Sequence, residues 1–111
     1  MEILFASSRL RKRCTGEKEM IKAWGPERAR ILGRRLDQLR AASDLGVMRT
    51  LPGRTHELKG DRKGQLSIDL DGPYRLLFEP AEDAVARVSK EGLDWSAVRA
   101  IRILGVEDTH G

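Results

Sequence analysis

Two histidines, His56 and His110, are the only ones in this chain of 111 residues, and each lies beside other reactive side chains. Lys59 follows His56 by three positions, and Asp108 precedes His110 by two. Histidine is the side chain whose proton moves most readily near neutral pH. Arg75, between the two groups in sequence, can hold a phosphate through two parallel hydrogen bonds. The pattern is typical of an acid–base site that binds a phosphate group.

The composition predicts one globular domain over residues 1–111. Hydrophobic residues make up 40% of the chain and charged residues 34%, which is ordinary for a folded protein. Cys14 is the single cysteine, so an internal disulfide is excluded. No apolar run approaches the ~18–20 residues of a membrane span, and no signal-peptide core follows Met1. We therefore expect a cytoplasmic protein.

Positive charge is concentrated in the first third of the chain. Residues 1–40 hold 11 Lys/Arg against 5 Asp/Glu, whereas residues 41–80 are balanced and residues 81–111 are slightly acidic. Such one-sided charge favours a polyanion or an acidic partner, while solvated helix faces remain the simpler explanation for any single residue.

The periodicity of apolar residues predicts helices first and strands later. The predicted elements, in chain order, are a strand over 2–6, a helical region from Ser7 or Ser8 to Trp24 with a break near Thr15–Gly16, a helix over 26–42, an irregular segment over 43–64, a hairpin over 65–79, a short strand over 84–88 and a last strand over 99–106. The second helix places Ala29, Leu32, Leu36 and Leu39 on one face.

The register of the hairpin can be argued from its pattern. A three-residue loop over 71–73 pairs apolar residues with apolar residues: Leu70 with Tyr74, Ile68 with Leu76 and Leu66 with Phe78. It also pairs Asp69 with Arg75 on the other face. A two-residue loop would instead oppose Ile68 to Arg75, so that register is disfavoured.

The predicted fold class is α+β. It comprises a mostly antiparallel, twisted sheet of four to five strands, with two N-terminal helices packed on one face. The opposite face of the hairpin is polar and carries Arg75.

Three segments, HELKGDRKGQLSIDL, YRLLF and IRILGVEDTH, together resemble the RelE superfamily of bacterial toxins, and the HigB "killer protein" type most closely. The resemblance covers about residues 50–111 in motif, and the helical first half fits in element order. The His-x-x-Lys spacing and the Asp-x-His ending are its most specific parts.

The resemblance implies a RelE-like fold and a ribonuclease that cleaves messenger RNA on the ribosome, without a metal or another cofactor. His56, Lys59, Asp108 and His110 correspond to the active site of the family, and Arg75 to the arginine of its YR strand. The same resemblance assigns further RNA contacts to Arg62, Lys63 and Thr109, the last standing where the family commonly has a tyrosine.

The implied partners are a small helix-turn-helix antitoxin of the HigA type, the ribosome and messenger RNA, with no membrane. The toxin alone is expected to be a monomer. Two other functions remain open: a non-catalytic RNA- or DNA-binding module of the same fold, and a gyrase-poisoning toxin of the ParE type, a group that lacks a histidine site. The alternatives to the catalytic roles also remain open. Arg75 then serves only as the cross-strand ion-pair partner of Asp69, and His56 and His110 are ordinary loop and tail residues.

Overall fold

A computed structural model describes residues 1–81, 88–89 and 92–109, the pair 88–89 by its backbone alone. The chain is an α+β protein whose elements follow the order β-α-α-α-β-β-β-β-β-β. Their bounds are β1 Glu2–Phe5, α1 Ser8–Arg13, α2 Glu17–Trp24, α3 Pro26–Ala41, β2 His56–Glu57, β3 Leu66–Asp69, β4 Tyr74–Pro80, β5 Val88–Ser89, β6 Gly92–Leu93 and β7 Ala100–Asp108.

Five of the strands form one mixed sheet, in the order β1-β7-β4-β3-β2. The β2–β3, β3–β4 and β4–β7 pairs are antiparallel, whereas β1 runs parallel to β7. β5 and β6 form a separate two-stranded ribbon. The sequence predicted a mostly antiparallel sheet, and the parallel pair β1–β7 is the part that local patterns could not reveal.

The helix α3 forms the main cover of the sheet. Pro26 occupies its first turn, where a missing N–H costs nothing. The apolar face that the sequence predicted is confirmed, because all four of its residues are buried: Ala29, Leu32, Leu36 and Leu39. They pack into one core with strand residues that include Leu66, Ile68, Leu76, Phe78, Ile101 and Ile103.

The region before α3 contains two helices rather than one. Ser7 caps α1 by accepting a hydrogen bond from the Leu10 N–H at 3.1 Å. The Thr15–Gly16 break then separates α1 from α2, so the described chain has three α-helices before residue 42 where the sequence predicted two. Cys14, at the end of α1, is buried with 3% of its surface exposed.

The predicted hairpin register is confirmed. Leu66 lies opposite Phe78, Ile68 opposite Leu76, and Asp69 opposite Arg75. The Leu70 N–H donates to the Tyr74 carbonyl at 3.0 Å, which closes the three-residue loop. The matched apolar pairs therefore fix which hairpin residues face the helices.

A β-bulge interrupts the pairing of β4 with β7. Leu77 lies opposite Gly105 but the next residue, Phe78, lies opposite Ile103, which leaves Leu104 as the extra residue on β7. Because side chains alternate along a strand, this insertion exchanges the two faces of β7 beyond Leu104.

The segment over 43–64 is mostly irregular, as predicted, with 3₁₀ turns over Leu45–Thr50 and Gly60–Arg62. The strand predicted over 84–88 lies outside the described residues except for Val88, where β5 begins. No helix in the described ranges is long and apolar enough to cross a membrane.

Candidate active site

The sheet face opposite the helices, called the open face below, carries two parallel rows of side chains. One row runs across the strands through His56, Ser67, Leu77 and Gly105. The next row contains Asp69, Arg75 and Glu107. Residues directly opposite one another in antiparallel strands share a face, so both rows lie on the same side of the sheet.

His56 is exposed, and its imidazole is held through one nitrogen. Nδ1 lies 2.8 Å from the carbonyl oxygen of Arg54. A carbonyl can only accept a hydrogen bond, so Nδ1 carries a proton in either charge state. In the neutral ring Nε2 is therefore the basic nitrogen, and it lies 3.5 Å from the Ser67 hydroxyl. His56 thus presents a defined proton acceptor on the open face.

The turn at Gly53 and Arg54 supports this imidazole. Gly53 adopts φ +114°, and a Cβ built there would lie 2.7 Å from the Ile68 side chain, so only glycine fits without a shift. Its carbonyl accepts the Asp69 N–H at 2.8 Å, which ties the turn to β3. Arg54 has φ +49°, a left-handed conformation that costs roughly 1 kcal/mol or more in a non-glycine residue.

Arg54 brings its guanidinium to Asp69, which a second arginine also contacts. Arg54 Nε donates to Asp69 Oδ2, and Arg75 Nε lies 2.8 Å from Asp69 Oδ1. The Arg75 contact is ionic without the alignment of a hydrogen bond, since Asp69 Oδ1 has no hydrogen-bond partner. Two guanidiniums share one carboxylate, which leaves one positive charge uncompensated within the trio. The hydrogen bond to Asp69 also raises the pKa of Arg54.

Arg75 is partly occupied by contacts inside the hairpin. Its Nη1 donates to the carbonyl oxygens of Gly72 and Tyr74, both at 2.9 Å. With the Asp69 contact, these bonds give Arg75 a structural role as well as a position on the open face. Arg54 is the residue that the sequence prediction missed, and the Pro-Gly turn before it was the available signal.

Arg62 crosses the open face to β7. Its Nη2 donates to Glu107 Oε1 at 2.6 Å, although β7 is separated from β3 by β4. In the His56 row, Ser67 and Leu77 are only 2% and 1% exposed. The face is therefore covered along part of the His56 row, and exposed along its charged edge. Lys59 and Lys63, on either side of the turn that holds Arg62, are exposed.

The end of β7 lies differently from the sequence prediction. Asp108 pairs with Tyr74, so the β-bulge puts it in the helix-side row and not in the row of Arg75. Thr109 is exposed, and its backbone N–H and hydroxyl both bond the Pro73 carbonyl, at 3.0 and 3.2 Å. His110 lies outside the described residues. The structure thus groups His56, Arg62 and Arg75 on one face and puts Asp108 in the row on the other.

The basic first third of the chain divides into structural and unpaired cations. Arg28 makes a bidentate ion pair with Asp71 at 3.0 and 3.1 Å and stacks over the Tyr74 ring, 3.4 Å from its centroid. Arg35 donates to the Asp69 carbonyl at 3.1 Å, and its burial lowers its pKa. By contrast, no cation of α1 forms an ion pair with a described carboxylate.

The tryptophan Trp95 has a packing role. It is 6% exposed, its indole N–H donates to Glu57 Oε2 at 2.9 Å, and the Arg49 guanidinium lies 4.0 Å from its ring centroid. Trp24 is only partly buried.

Within residues 1–81, 88–89 and 92–109, no group of three or more His, Cys, Asp or Glu side chains is arranged to hold a metal ion. A scan against protein-family models and a search of curated proteins return no match for this chain.

Proposed function

We propose that this protein is the toxin of a type II toxin–antitoxin system, an endoribonuclease of the RelE superfamily that cleaves messenger RNA on the ribosome. The observation that carries the proposal is the His56 imidazole, anchored through Nδ1 and exposed beside two arginines that share one carboxylate. An α+β fold with helices on one sheet face is compatible with the RelE-like fold that the motifs indicate.

The proposed chemistry is attack of a ribose 2′-hydroxyl on the adjacent phosphate. A base removes the hydroxyl proton, the new O–P bond forms, and the bond to the 5′-oxygen breaks as an acid protonates that oxygen. His56 Nε2 is suited to either proton transfer, because the Arg54 carbonyl fixes the tautomer and the orientation of its ring. His110 is the proposed partner for the other transfer, on the strength of the sequence motif.

Positive charge near His56 would stabilise the phosphate as it becomes more negative. Arg54 and Arg75 together carry one more charge than Asp69 neutralises, and Lys59 adds another in the adjoining loop. Arg62 and Lys63 are proposed to hold the RNA backbone. For Arg62 this requires exchange of Glu107 for a phosphate oxygen, a substitution of one anion by another.

Asp108 and Thr109 enter the proposal through the motif alone. Asp108 would orient a histidine or favour its charged form. Because its row faces the helices, Asp108 would do so from its position at the end of β7 rather than from the open face. The proposed partners are a helix-turn-helix antitoxin of the HigA type and the ribosome, with action in the cytoplasm.

A second function is a non-catalytic RNA- or DNA-binding module of the same fold. The observation that favours it is the engagement of Arg75, which bonds two loop carbonyls and contacts Asp69. An arginine held in this way suits a rigid binding surface as well as a catalytic one.

Controlled expression in bacteria separates these functions. A ribosome-dependent nuclease stops growth and shortens messages during translation, and the His56→Asn variant removes both effects. Asparagine can keep a hydrogen bond to the Arg54 carbonyl but cannot take up a proton, so it serves as the matched control. Growth arrest that persists in His56→Asn would instead support a binding module. Altered plasmid supercoiling with intact messages would support a gyrase poison.

A further inference from the structure

A concave surface lies at the far edge of the open face from His56. It is a cleft of about 320 Å³ between α1, α2 and β7, and its lining includes Arg9, Arg13, Trp24 and Gly105. Of these residues, only Gly105 also belongs to a row of the open face described above. The cleft forms where β1 ends at Phe5, opposite Ile103, because no strand of the described ranges pairs with β7 on that side beyond the bulge.

The cations at this cleft have no ion-pair partner among the described residues. The α1 segment, SRLRKR, contains no acidic residue, and the structure places Arg9 and Arg13 of this helix in the cleft wall. Neither forms an ion pair with any described carboxylate, in contrast to Arg28, Arg30 and Arg40 of α3. A guanidinium without an internal partner is available to bind an external anion.

An aromatic ring shares the cleft with these cations. Trp24 packs against the hydrophobic core with part of its surface and lines the cleft with another part. Indole rings stack on nucleic-acid bases of any sequence, and arginines beside them hold the phosphates. An aromatic ring that shares a cleft with two arginines, neither paired to a described carboxylate, is therefore suited to one nucleotide of a single strand.

Gly105 connects the cleft to the candidate active site. It lines the cleft, and it also lies opposite Leu77 in the row that begins at His56. A Cβ built on Gly105 would meet no atom within 4 Å, so the surface above it is open. Three strand spacings separate β2 from β7, which places the two sites roughly 14 Å apart across the sheet.

We propose that the Arg9–Arg13–Trp24 cleft is a subsite for a nucleotide of the single-stranded RNA that crosses the open face from His56. This inference rests on the proposed function, which identifies the ligand as messenger RNA. The cleft itself binds a phosphate and a base without recognising a particular nucleotide sequence. An acidic peptide is the competing ligand, and the Trp24 ring in the cleft favours the nucleotide because an indole stacks on a base.

The test uses a ten-nucleotide 2′-O-methyl RNA, which binds but cannot be cleaved through a 2′-hydroxyl. In a Trp95→Phe background, Trp24 is the only tryptophan, and saturable quenching of its fluorescence is expected. If Trp95→Phe does not fold, loss of the quench in a Trp24→Phe variant of the otherwise unchanged chain reports the same contact.

The control compares two double variants of α1, each of which removes two positive charges. Arg9→Ala/Arg13→Ala should lower the slope of log affinity against log salt by about 1.4, if each arginine holds one phosphate. Arg11→Ala/Lys12→Ala removes the same charge from residues outside the cleft and should change the slope much less. Equal effects of the two double variants would overturn the subsite, as would equal quenching by a polyglutamate of the same charge.

The subsite and the nuclease can fail separately. His56→Asn should abolish cleavage and leave the Trp24 quench intact, which supports both proposals. A protein that shows the cleft-specific quench without cleaving any message would keep the subsite and reject the nuclease. A protein that cleaves messages without a Trp24 quench would reject the subsite alone.

Discussion

On the helix side of the sheet, apolar side chains from α3 and the strands β3, β4 and β7 pack into one buried core, whereas the open face carries long charged side chains. Phe78 on the helix side is fully buried within the hydrophobic core, while its neighbour Leu77 on the open face is buried outside that core. The charged row of Asp69, Arg75 and Glu107 lies next to Leu77, with Asp69 paired to Arg75 and Glu107 paired to Arg62. The contrast indicates that one face supplies most of the stability and the other is open to a ligand.

The largest difference between the faces is expected from truncating the two neighbouring residues of β4. Phe78→Ala should lower the free energy of unfolding by about 3–5 kcal/mol, because the cavity forms inside a closed core. Leu77→Ala should lower the free energy of unfolding by only about 2 kcal/mol, at the low end for buried leucines, because the charged side chains of the open face can move into the space left by the leucine. Denaturant titration of both variants measures the difference. A greater loss in Leu77→Ala than in Phe78→Ala would contradict the contrast.

Asp69→Asn should change stability and RNA binding in opposite directions. Removing the carboxylate leaves Arg54 and Arg75 without their shared counter-charge, and Arg75 and Asp69 are only 19% and 20% exposed. We expect a loss of about 1–3 kcal/mol in unfolding free energy, between the values for exposed and buried pairs. The two released guanidiniums should strengthen binding of a single-stranded RNA at low salt. Weaker RNA binding in a folded Asp69→Asn protein would contradict a phosphate site at this trio.

Arg28→Lys should cost about 1–2 kcal/mol of unfolding free energy. Lysine loses both the bidentate contact with Asp71 and the flat stacking over Tyr74, which together attach α3 to the hairpin loop. The matched control is Arg30→Lys in the same helix, whose exposed ion pair with Glu27 should contribute less than about 0.5 kcal/mol. Equal losses of unfolding free energy in the two variants would show that the Arg28 contacts stabilise the fold no more than the exposed Arg30–Glu27 ion pair does.

The smallest expected effect is the pH dependence of the unfolding free energy that the Cys14 thiol causes. Burial raises its pKa from 9.0 to about 11, partly opposed by the charge of Arg40. A folded-state pKa above the unfolded value gives a stability contribution that is complete below pH 9 and is lost as the pH rises through 11. The loss should reach about 1 kcal/mol by pH 10. Denaturant titrations from pH 8 to pH 10 should show this decline in the wild type and a shallower one in Cys14→Ala.

Local patterns predicted the helix side of the molecule well. The apolar spacing of α3 and the alternation in the hairpin each depend on neighbouring residues, and the structure confirms both. The parallel pairing of β1 with β7 joins segments almost a hundred residues apart, and no local pattern encodes it. The break at Thr15–Gly16 was visible in the sequence, but its division of one helical region into two helices was not.

The open face was less predictable, for two physical reasons. A single extra residue, Leu104, exchanges the faces of β7 beyond it and moves Asp108 away from the row of Arg75. The role of Arg54 depends on a left-handed conformation at the Gly53–Arg54 turn, which places its carbonyl at the imidazole and its guanidinium at Asp69. His56 was identified from its residue type and spacing, and the bond that fixes its tautomer became visible only in the structure.

The most direct measurement compares message cleavage and stability in the same preparations of wild type, His56→Asn and Lys18→Ala, a control at an exposed position of α2 outside both proposed sites. Translating ribosomes programmed with a defined message provide the substrate. We expect His56→Asn to lose about 10²–10⁴-fold in cleavage rate with its unfolding free energy nearly unchanged, while Lys18→Ala keeps most of the rate. Undiminished cleavage by a folded His56→Asn protein would contradict the assignment of the open face as a nuclease site.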